Sequence, residues 1–325
     1  MSKITKKNIS VLGCGRWGSF LAWYVNKLGH NVINYGIDDE IYRDLASTRK
    51  NEFVTLDDKI ELTNDLEKAI KHAEIIIVSI SSQWLRSFFA DIVKHDIKNK
   101  SFVLCMKGIE ESTGERLTEV VIESGVNKNQ IAVWLGPGHI QDFVAGIPNC
   151  MMIDSYNPEL TKSLVDIFRS DLIRFYYGDD IIGTEVGAAT KNIFGIVAGI
   201  LDGLNYTALK GALMARGARE VSRLIKAMGG NELSAYGLCH LGDYEATLFS
   251  KYSNNRAWGE SFAKNQRYCK LAEGVATAKA VGKLAEKYGV EMPITNALNE
   301  TMTNKLSPNE AIKQFFIRDM TNEFY

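Results

Sequence analysis

Through the first half of the chain, short runs of β-branched and other apolar residues alternate with amphipathic stretches at helical spacing, the pattern of βαβ units around a buried parallel sheet. It predicts strands at Ile9–Leu12, Val32–Tyr35, Ile75–Ile80, Phe102–Cys105, Ile131–Trp134 and about Cys150–Ile153. Helices fill the intervals. The first covers Ser19–Leu28, Asn64-Asp65-Leu66-Glu67 reads as a cap with an acidic first turn, and Pro158-Glu159 opens a segment reaching Phe168. From about Asp180 the β-branched runs disappear and long segments at 3.6-residue spacing take over. Ile181–Leu201 is rich in Gly and Ala, which permits close helix contacts, and Leu209–Met228 sets Arg216, Arg219, Arg223 and Lys226 opposite Leu213 and Leu224. Gly229-Gly230 follows where a C-cap belongs. The chain therefore divides into an α/β half, 1–180, built on a parallel sheet, and an all-α half, 181–325.

The length of 325 residues is about twice the ~150-residue prior for one domain, consistent with that division. Hydrophobic residues at 46%, charged residues at 24% and only 5 prolines exclude a disordered or collagen-like chain. Lys+Arg 38 against Asp+Glu 39 gives a net charge of -1, so no global field recruits nucleic acid or anionic membrane, and an anionic ligand must be held by local groups. The 5 cysteines are odd in number and scattered, without Cys-x-x-Cys, which argues against a disulfide framework or a zinc site and for reduced thiols. No metal site is expected. The polar N-terminus lacks the features of a signal peptide, and the longest apolar runs fall short of the ~20 residues of a membrane span, so a cytoplasmic protein is expected.

Strand one ends in Gly13-Cys14-Gly15-Arg16-Trp17-Gly18, directly before a helix. This is G-x-G-x-x-G in its strand-turn-helix context: the first glycine makes the turn, the second admits a pyrophosphate, and the third lets the helix pack on the strand. The loop predicts a Rossmann-like dinucleotide site in which Gly13, Gly15, Arg16, Trp17 and Gly18 meet the cofactor. Strand two runs into Tyr35-Gly36-Ile37-Asp38-Asp39-Glu40; Asp38 is placed to meet the ribose or to cap the next helix, and no basic residue precedes Arg43. NAD is favoured over NADP. Further on, Lys191 stands among small and apolar residues from Gly183 to Phe194, where it could titrate low enough to exchange a proton with a substrate hydroxyl, or snorkel, or pair with Glu185.

These segments, together with Met106-Lys107-Gly108, Gly136-Pro137-Gly138-His139, Leu213–Gly217, Leu241-Gly242-Asp243, Ala272-Glu273-Gly274-Val275 and Gly289–Ile294, keep an order and spacing that resemble the NAD(P)-dependent glycerol-3-phosphate dehydrogenases, over roughly Asn8–Met302. The resemblance implies a hydride transfer between nicotinamide and a three-carbon phosphate in a cleft between the two halves. It makes Lys191 the proton donor and acceptor and Lys107 a second active-site lysine, with Asp243 and Thr247 orienting Lys191 and the substrate hydroxyls. Read from the residues alone, Asp243 could instead be an N-cap. The resemblance also places Ile140 and Glu273 at the cofactor, and Gly136, Gly138, Ser253, Asn254, Asn255 and Arg256 at the substrate. It names no metal, nucleic acid or membrane partner, and the helical half could supply apolar faces for a homodimer.

Three positions depart from that family. Asn254 stands where its arginine meets phosphate or cofactor, with Arg256 the nearby cation available in its place. Gly138 replaces a hydroxyl residue, and His240 a small one, so an altered substrate pocket is expected. Another polyol or sugar-alcohol phosphate, or a dinucleotide-sensing protein without catalysis, are the alternatives. The β-hydroxyacid dehydrogenases also pair a Rossmann domain with a lysine-bearing helical one, but Asn192-Ile193-Phe194-Gly195 after Lys191 does not match their asparagine spacing.

Overall fold

The computed structural model describes residues 5–37, 39–319 and 322–323. Among these, eight strands form one sheet: β1 (Asn8–Leu12), β2 (Asn31–Tyr35), β3 (Glu61–Thr63), β4 (Ile75–Val78), β5 (Ser101–Leu104), β6 (Ile131–Leu135), β7 (Asn149–Ser155) and β8 (Ile173–Tyr177). Their spatial order is β3-β2-β1-β4-β5-β6-β7-β8. Pairing is parallel throughout except between β6 and β7, which run antiparallel with Trp134 opposite Ile153, so the expectation of a purely parallel sheet is corrected there. Two strands, β3 and β8, had not been expected, and β4 stops at Val78, two residues before the predicted end.

Near-continuous apolar strands put one aromatic-rich layer on each face. Phe20, Phe143, Phe168 and Trp134 fill one side, and Phe89, Phe102 and Leu104 the other. The order reverses at β1, whose neighbours β2 and β4 lead in opposite directions, and a crevice opens beyond the carboxyl ends of β1 and β4. Gly13 forms the floor of that crevice with φ +113, and a side chain there would overlap the Ser79 carbonyl. The following helix starts at Arg16, three residues earlier than its apolar pattern suggested, and leaves its first amides facing the crevice.

After β8 the described structure is helical. The helix Ile181–Gly203 is buried over nearly its whole length and is packed by Gly199 and Gly259 directly against Asn254–Ala263, where either glycine leaves no room for a methyl group. Phe194, Val221, Leu224, Tyr244 and Val281 form the third core. At its N-terminal end the same helix grips the sheet half: Glu185 accepts from Arg116 Nη1 (2.6 Å) and from the Thr118 amide (2.9 Å). Glu185 is thus committed away from Lys191.

Candidate active site

The crevice beyond β1 and β4 continues as a cleft of about 890 Å³, bounded by the glycine loop, by the middle of Ile181–Gly203 and by the start of Asn254–Ala263. Lys191 enters it from mid-helix, only 7% exposed. Its ammonium donates to Thr247 Oγ1 (2.6 Å) and lies 2.9 Å from Asp243 Oδ2. Lys107, from the loop after β5, reaches the same carboxylate oxygen at 2.6 Å and donates to the Gly136 carbonyl at 2.7 Å. Thr247 in turn donates to the Asp243 carbonyl at 2.7 Å, fixing its oxygen toward the lysine. Asp243 is 1% exposed in a short 3-10 turn, Leu241–Asp243, so its carboxylate serves two ammonium groups and not a helix cap.

Burial is the largest influence on Lys191, bringing its pKa down to about 8; Asp243 opposes that shift and Lys107 reinforces it. Glu273, on the cleft wall, is pushed up to about 7, again chiefly by desolvation, with the Ser82 amide and both lysines pulling the other way. His139 also lines the cleft, its Nε2 without a hydrogen-bond partner among the described residues, its pKa lowered by desolvation and its ring edge-on to Tyr252 at 5.5 Å.

At the nucleotide end, the open space before Gly15 is what a side chain would fill, so its backbone faces the cleft freely, while Gly18 packs beneath against Gly13. Arg16, Trp17, Ile140 and Glu273 line the wall. These features fit a dinucleotide: bare backbone at the pyrophosphate position, a helix N-terminus aimed at it, and an apolar slot of Ile37, Ile41, Trp84 and Phe88 further out. Asp38 lies outside the described residues; the cap of the helix Glu40–Thr48 is Asp39, which accepts from the Tyr42 amide at 2.8 Å.

The substrate end differs from expectation in two ways. Ser253, Asn254, Asn255 and Gly138 line the cleft, but Arg256 does not. Its Nε donates to Asp202 Oδ2 at 2.6 Å, an oxygen shared with Lys210 at 2.6 Å, and its Nη2 lies 3.4 Å from Glu260. Those contacts anchor the guanidinium against Asp202 and Glu260, away from the cleft. His240, expected to reshape the pocket, lies fully buried behind it. The Gly187 carbonyl, 2.9 Å from Nδ1, can only accept, so Nδ1 carries the hydrogen and Nε2 accepts from the Tyr244 hydroxyl at 2.7 Å. Both nitrogens are thereby occupied, and desolvation holds the ring neutral with a pKa of about 4.

Asn192, Tyr252 and Tyr268 had no role assigned from sequence. Asn192 follows the lysine and accepts from Asn255 Nδ2 at 3.0 Å, while Asn255 accepts from the Gly274 amide, so one asparagine pair ties the lysine helix to two neighbouring helices at the cleft. Its adjacency to Lys191 was the available signal; the tyrosines carried none.

The chain matches the family profiles for the NAD-dependent glycerol-3-phosphate dehydrogenase N-terminus over residues 8–161 and C-terminus over residues 180–313. It is 35% identical to glycerol-3-phosphate dehydrogenase, NAD(P)+, of Fusobacterium nucleatum, over 96% of this chain and 97% of that protein. With the enzyme of the same name from Clostridium botulinum the identity is 34%, over 98% and 99%. The crystal structure of glycerol-3-phosphate dehydrogenase from Coxiella burnetii superposes with a TM-score of 0.90 at 25% identity, over 96% and 99% of the two chains. Two profiles that divide the chain near the sheet-to-helix transition, and relatives matched end to end, leave one conclusion: this chain belongs to the NAD-dependent glycerol-3-phosphate dehydrogenase family.

Proposed function

We propose that the chain interconverts sn-glycerol 3-phosphate and dihydroxyacetone phosphate, with residues 1–180 binding NAD and residues 181–325 holding the substrate. The observation that carries this reading is the buried Lys191, lowered to about 8 and joined through Asp243 to Lys107, in the same cleft as the glycine loop. Bound nicotinamide supplies the hydride acceptor or donor. The protein supplies the proton: as an ammonium ion Lys191 gives one to the ketone oxygen during reduction, and as an amine it takes one from the secondary hydroxyl during oxidation. A pKa near 8 keeps both forms within reach at neutral pH. Thr247 holds Nζ in place, and Lys107 adds positive charge where the ketone oxygen gains negative charge. Gly138, Ser253, Asn254 and Asn255 form the substrate wall in this reading, without Arg256; Gly136, expected there, lies off the lining and acts through its carbonyl, which accepts from Lys107 at 2.7 Å.

NAD over NADP is supported by the wall at the end of β2, where Tyr35, Gly36, Ile37, Asp39 and Ile41 face the cleft with Asp91 across from them. A 2′-phosphate would meet two carboxylates and no lining cation there. The buried, unpaired Cys14, Cys105 and Cys239 support a reducing, cytoplasmic setting, and the exposed Phe316 and Ile317 of the helical half support a homodimer. Among the described residues no helix is long and apolar enough to cross a membrane.

The test is NADH oxidation with dihydroxyacetone phosphate beside a panel of keto-sugar phosphates. Turnover of the triose phosphate, abolished in Lys191→Ala with NADH affinity retained, is expected; a wild-type chain inert toward it refutes the assignment. Asn254 on the wall and Arg256 turned away favour a second reading, a related polyol phosphate, which the panel would identify. NADH binding with no turnover of any substrate would mark a sensor.

A further inference from the structure

A dianionic phosphate must be balanced by charge inside the cleft, because the chain as a whole is close to neutral. Among the described residues, the lysines and arginines on the cleft wall are Arg16, Lys107 and Lys191. Lys107 and Lys191 divide one carboxylate between them, so together with Asp243 they offer about one positive charge, and that charge sits at the proton-transfer centre. Arg256 is spent on Asp202. Arg16 is different. It is half-buried, its guanidinium carbon lies 4.6 Å from the centre of the Phe53 ring, its Nη2 has only a long contact to Gln141 Oε1 at 3.4 Å, and no carboxylate among the described residues lies within 4.0 Å of it. A desolvated guanidinium held in place by a ring and an amide, with Glu52 acting on it only from beyond ion-pair distance, is poised for an anion brought from outside.

Its surroundings place that anion toward the lysine end. Arg16 lies within electrostatic reach of Tyr268, whose hydroxyl donates at 3.0 Å to Asn254 Oδ1, and Asn254 is followed by the Asn255 that holds Asn192 beside Lys191. Arg16, His139 and Lys191 line the same cleft. The pyrophosphate position, by contrast, is already served by bare backbone amides of the glycine loop.

We propose that Arg16 holds the phosphate of the substrate, supplying from the cofactor loop the fork that position 254 lacks. This rests on the cleft being a polyol-phosphate site as proposed above, and makes Arg16 a specificity-determining residue: the ketone's phosphate is read by a side chain of the dinucleotide half, so the substrate bridges the two halves.

The experiment compares Arg16→Gln and Arg16→Lys with wild type. Arg16 is part-exposed with one weak hydrogen bond, so both variants are expected to fold. In Arg16→Gln the KM for dihydroxyacetone phosphate should rise about 10- to 100-fold with kcat and the NADH dissociation constant each within about threefold, the loss appropriate to a charge-assisted fork. Arg16→Lys should fall between. Turnover of dihydroxyacetone, which has no phosphate, should fall far less than that of dihydroxyacetone phosphate. Calorimetric binding of inorganic phosphate to the NADH complex gives the same comparison without turnover, and should weaken in Arg16→Gln even if the substrate is a different polyol phosphate. The proposal is overturned if KM and phosphate binding are unchanged, if NADH affinity alone falls, which would assign Arg16 to the cofactor's pyrophosphate, or if phosphorylated and unphosphorylated ketones lose equally. Failure of wild type to turn over any triose phosphate refutes the functional reading and leaves the phosphate-binding arm to judge Arg16.

Discussion

Asp243 is the carboxylate on which both lysines depend, and its removal should change not just the rate but the pH at which the enzyme works. Wild-type Lys191 titrates at about 8, so at pH 7 about nine in ten molecules carry the ammonium ion needed to protonate a ketone. In Asp243→Asn the one influence that raises this pKa is lost, while burial and the neighbouring Lys107, which lower it, remain. Deleting one member of a buried ion pair costs on the order of 3 kcal/mol, equivalent to about two pH units at about 1.4 kcal/mol per unit. The ammonium fraction would then be about one in ten at pH 7 and about one in a hundred at pH 8. The assay is kcat/KM for ketone reduction, measured across pH at fixed saturating NADH. The titration alone predicts a loss of about tenfold at pH 7, about fiftyfold at pH 8 and little near pH 5.5, so the descending limb moves toward acid. The substrate phosphate, with its second pKa near 6, contributes only an ascending limb and cannot imitate this movement. In the oxidation direction the sign reverses, since the amine is the active form and its rate should rise through the same lowered pKa. A loss constant from pH 5.5 to 8.5 would refute the argument, showing that Asp243 acts by position and not through the charge of Lys191.

Two further predictions concern the frame of the site. His240 is neutral in the fold with a pKa of about 4 against about 6.5 in an unfolded chain, so the unfolded state binds more protons between those values and stability falls as pH drops through the window, by up to about 3 kcal/mol. The raised carboxyl of Asp154, at about 6, has the opposite slope, losing its contribution as pH rises, so the comparison must be the difference in urea-unfolding free energy between wild type and His240→Asn. That difference should shift in the variant's favour from pH 6.5 to 4.5, and parallel curves would show that His240 is not held neutral. The cofactor loop separates folding from binding: Gly13→Ala, at φ +113 against the Ser79 carbonyl, should lower the thermal midpoint, whereas Gly15→Ala should fold normally and weaken NADH binding. Equal melting losses in the two would sink that division.

The elements that could be read from sequence were those whose burial is uniform. β1, β2 and β5 are buried along nearly their whole length and appear as plain apolar runs, and the glycine loop announces itself because its spacing is dictated by backbone contacts. β8 was passed over although Ile173 and Phe175 alternate with Arg174 and Tyr176, since an edge strand buries one face and its tyrosines look like loop residues. The reversal of β7 was invisible because strand direction leaves no mark on composition; only the connection between Leu135 and Asn149, carrying a single short helix, hinted that no full crossover was present.

The site shows the same division. Lys191 could be suspected from its own neighbours, because a lysine amid Gly and Ala on a buried helix needs a reason, but Lys107, Asp243 and Thr247 were supplied by resemblance, and the carboxylate oxygen shared by the two lysines joins residues 136 apart in sequence. Arg256 shows why position in a motif does not settle a role. Its side chain is long enough to face either way, and the choice is made by Asp202, which reaches it only because Gly199 and Gly259 let two helices touch backbone to backbone. Once Asp202 takes Arg256, with Lys210 completing the cluster, the cleft is short of one cation and Arg16 is the guanidinium on its wall with no ion pair within 4.0 Å among the described residues. An arginine drawn off by a small-residue helix contact and another exposed by a cofactor loop are two ends of one charge balance, which neither motif reveals when read alone.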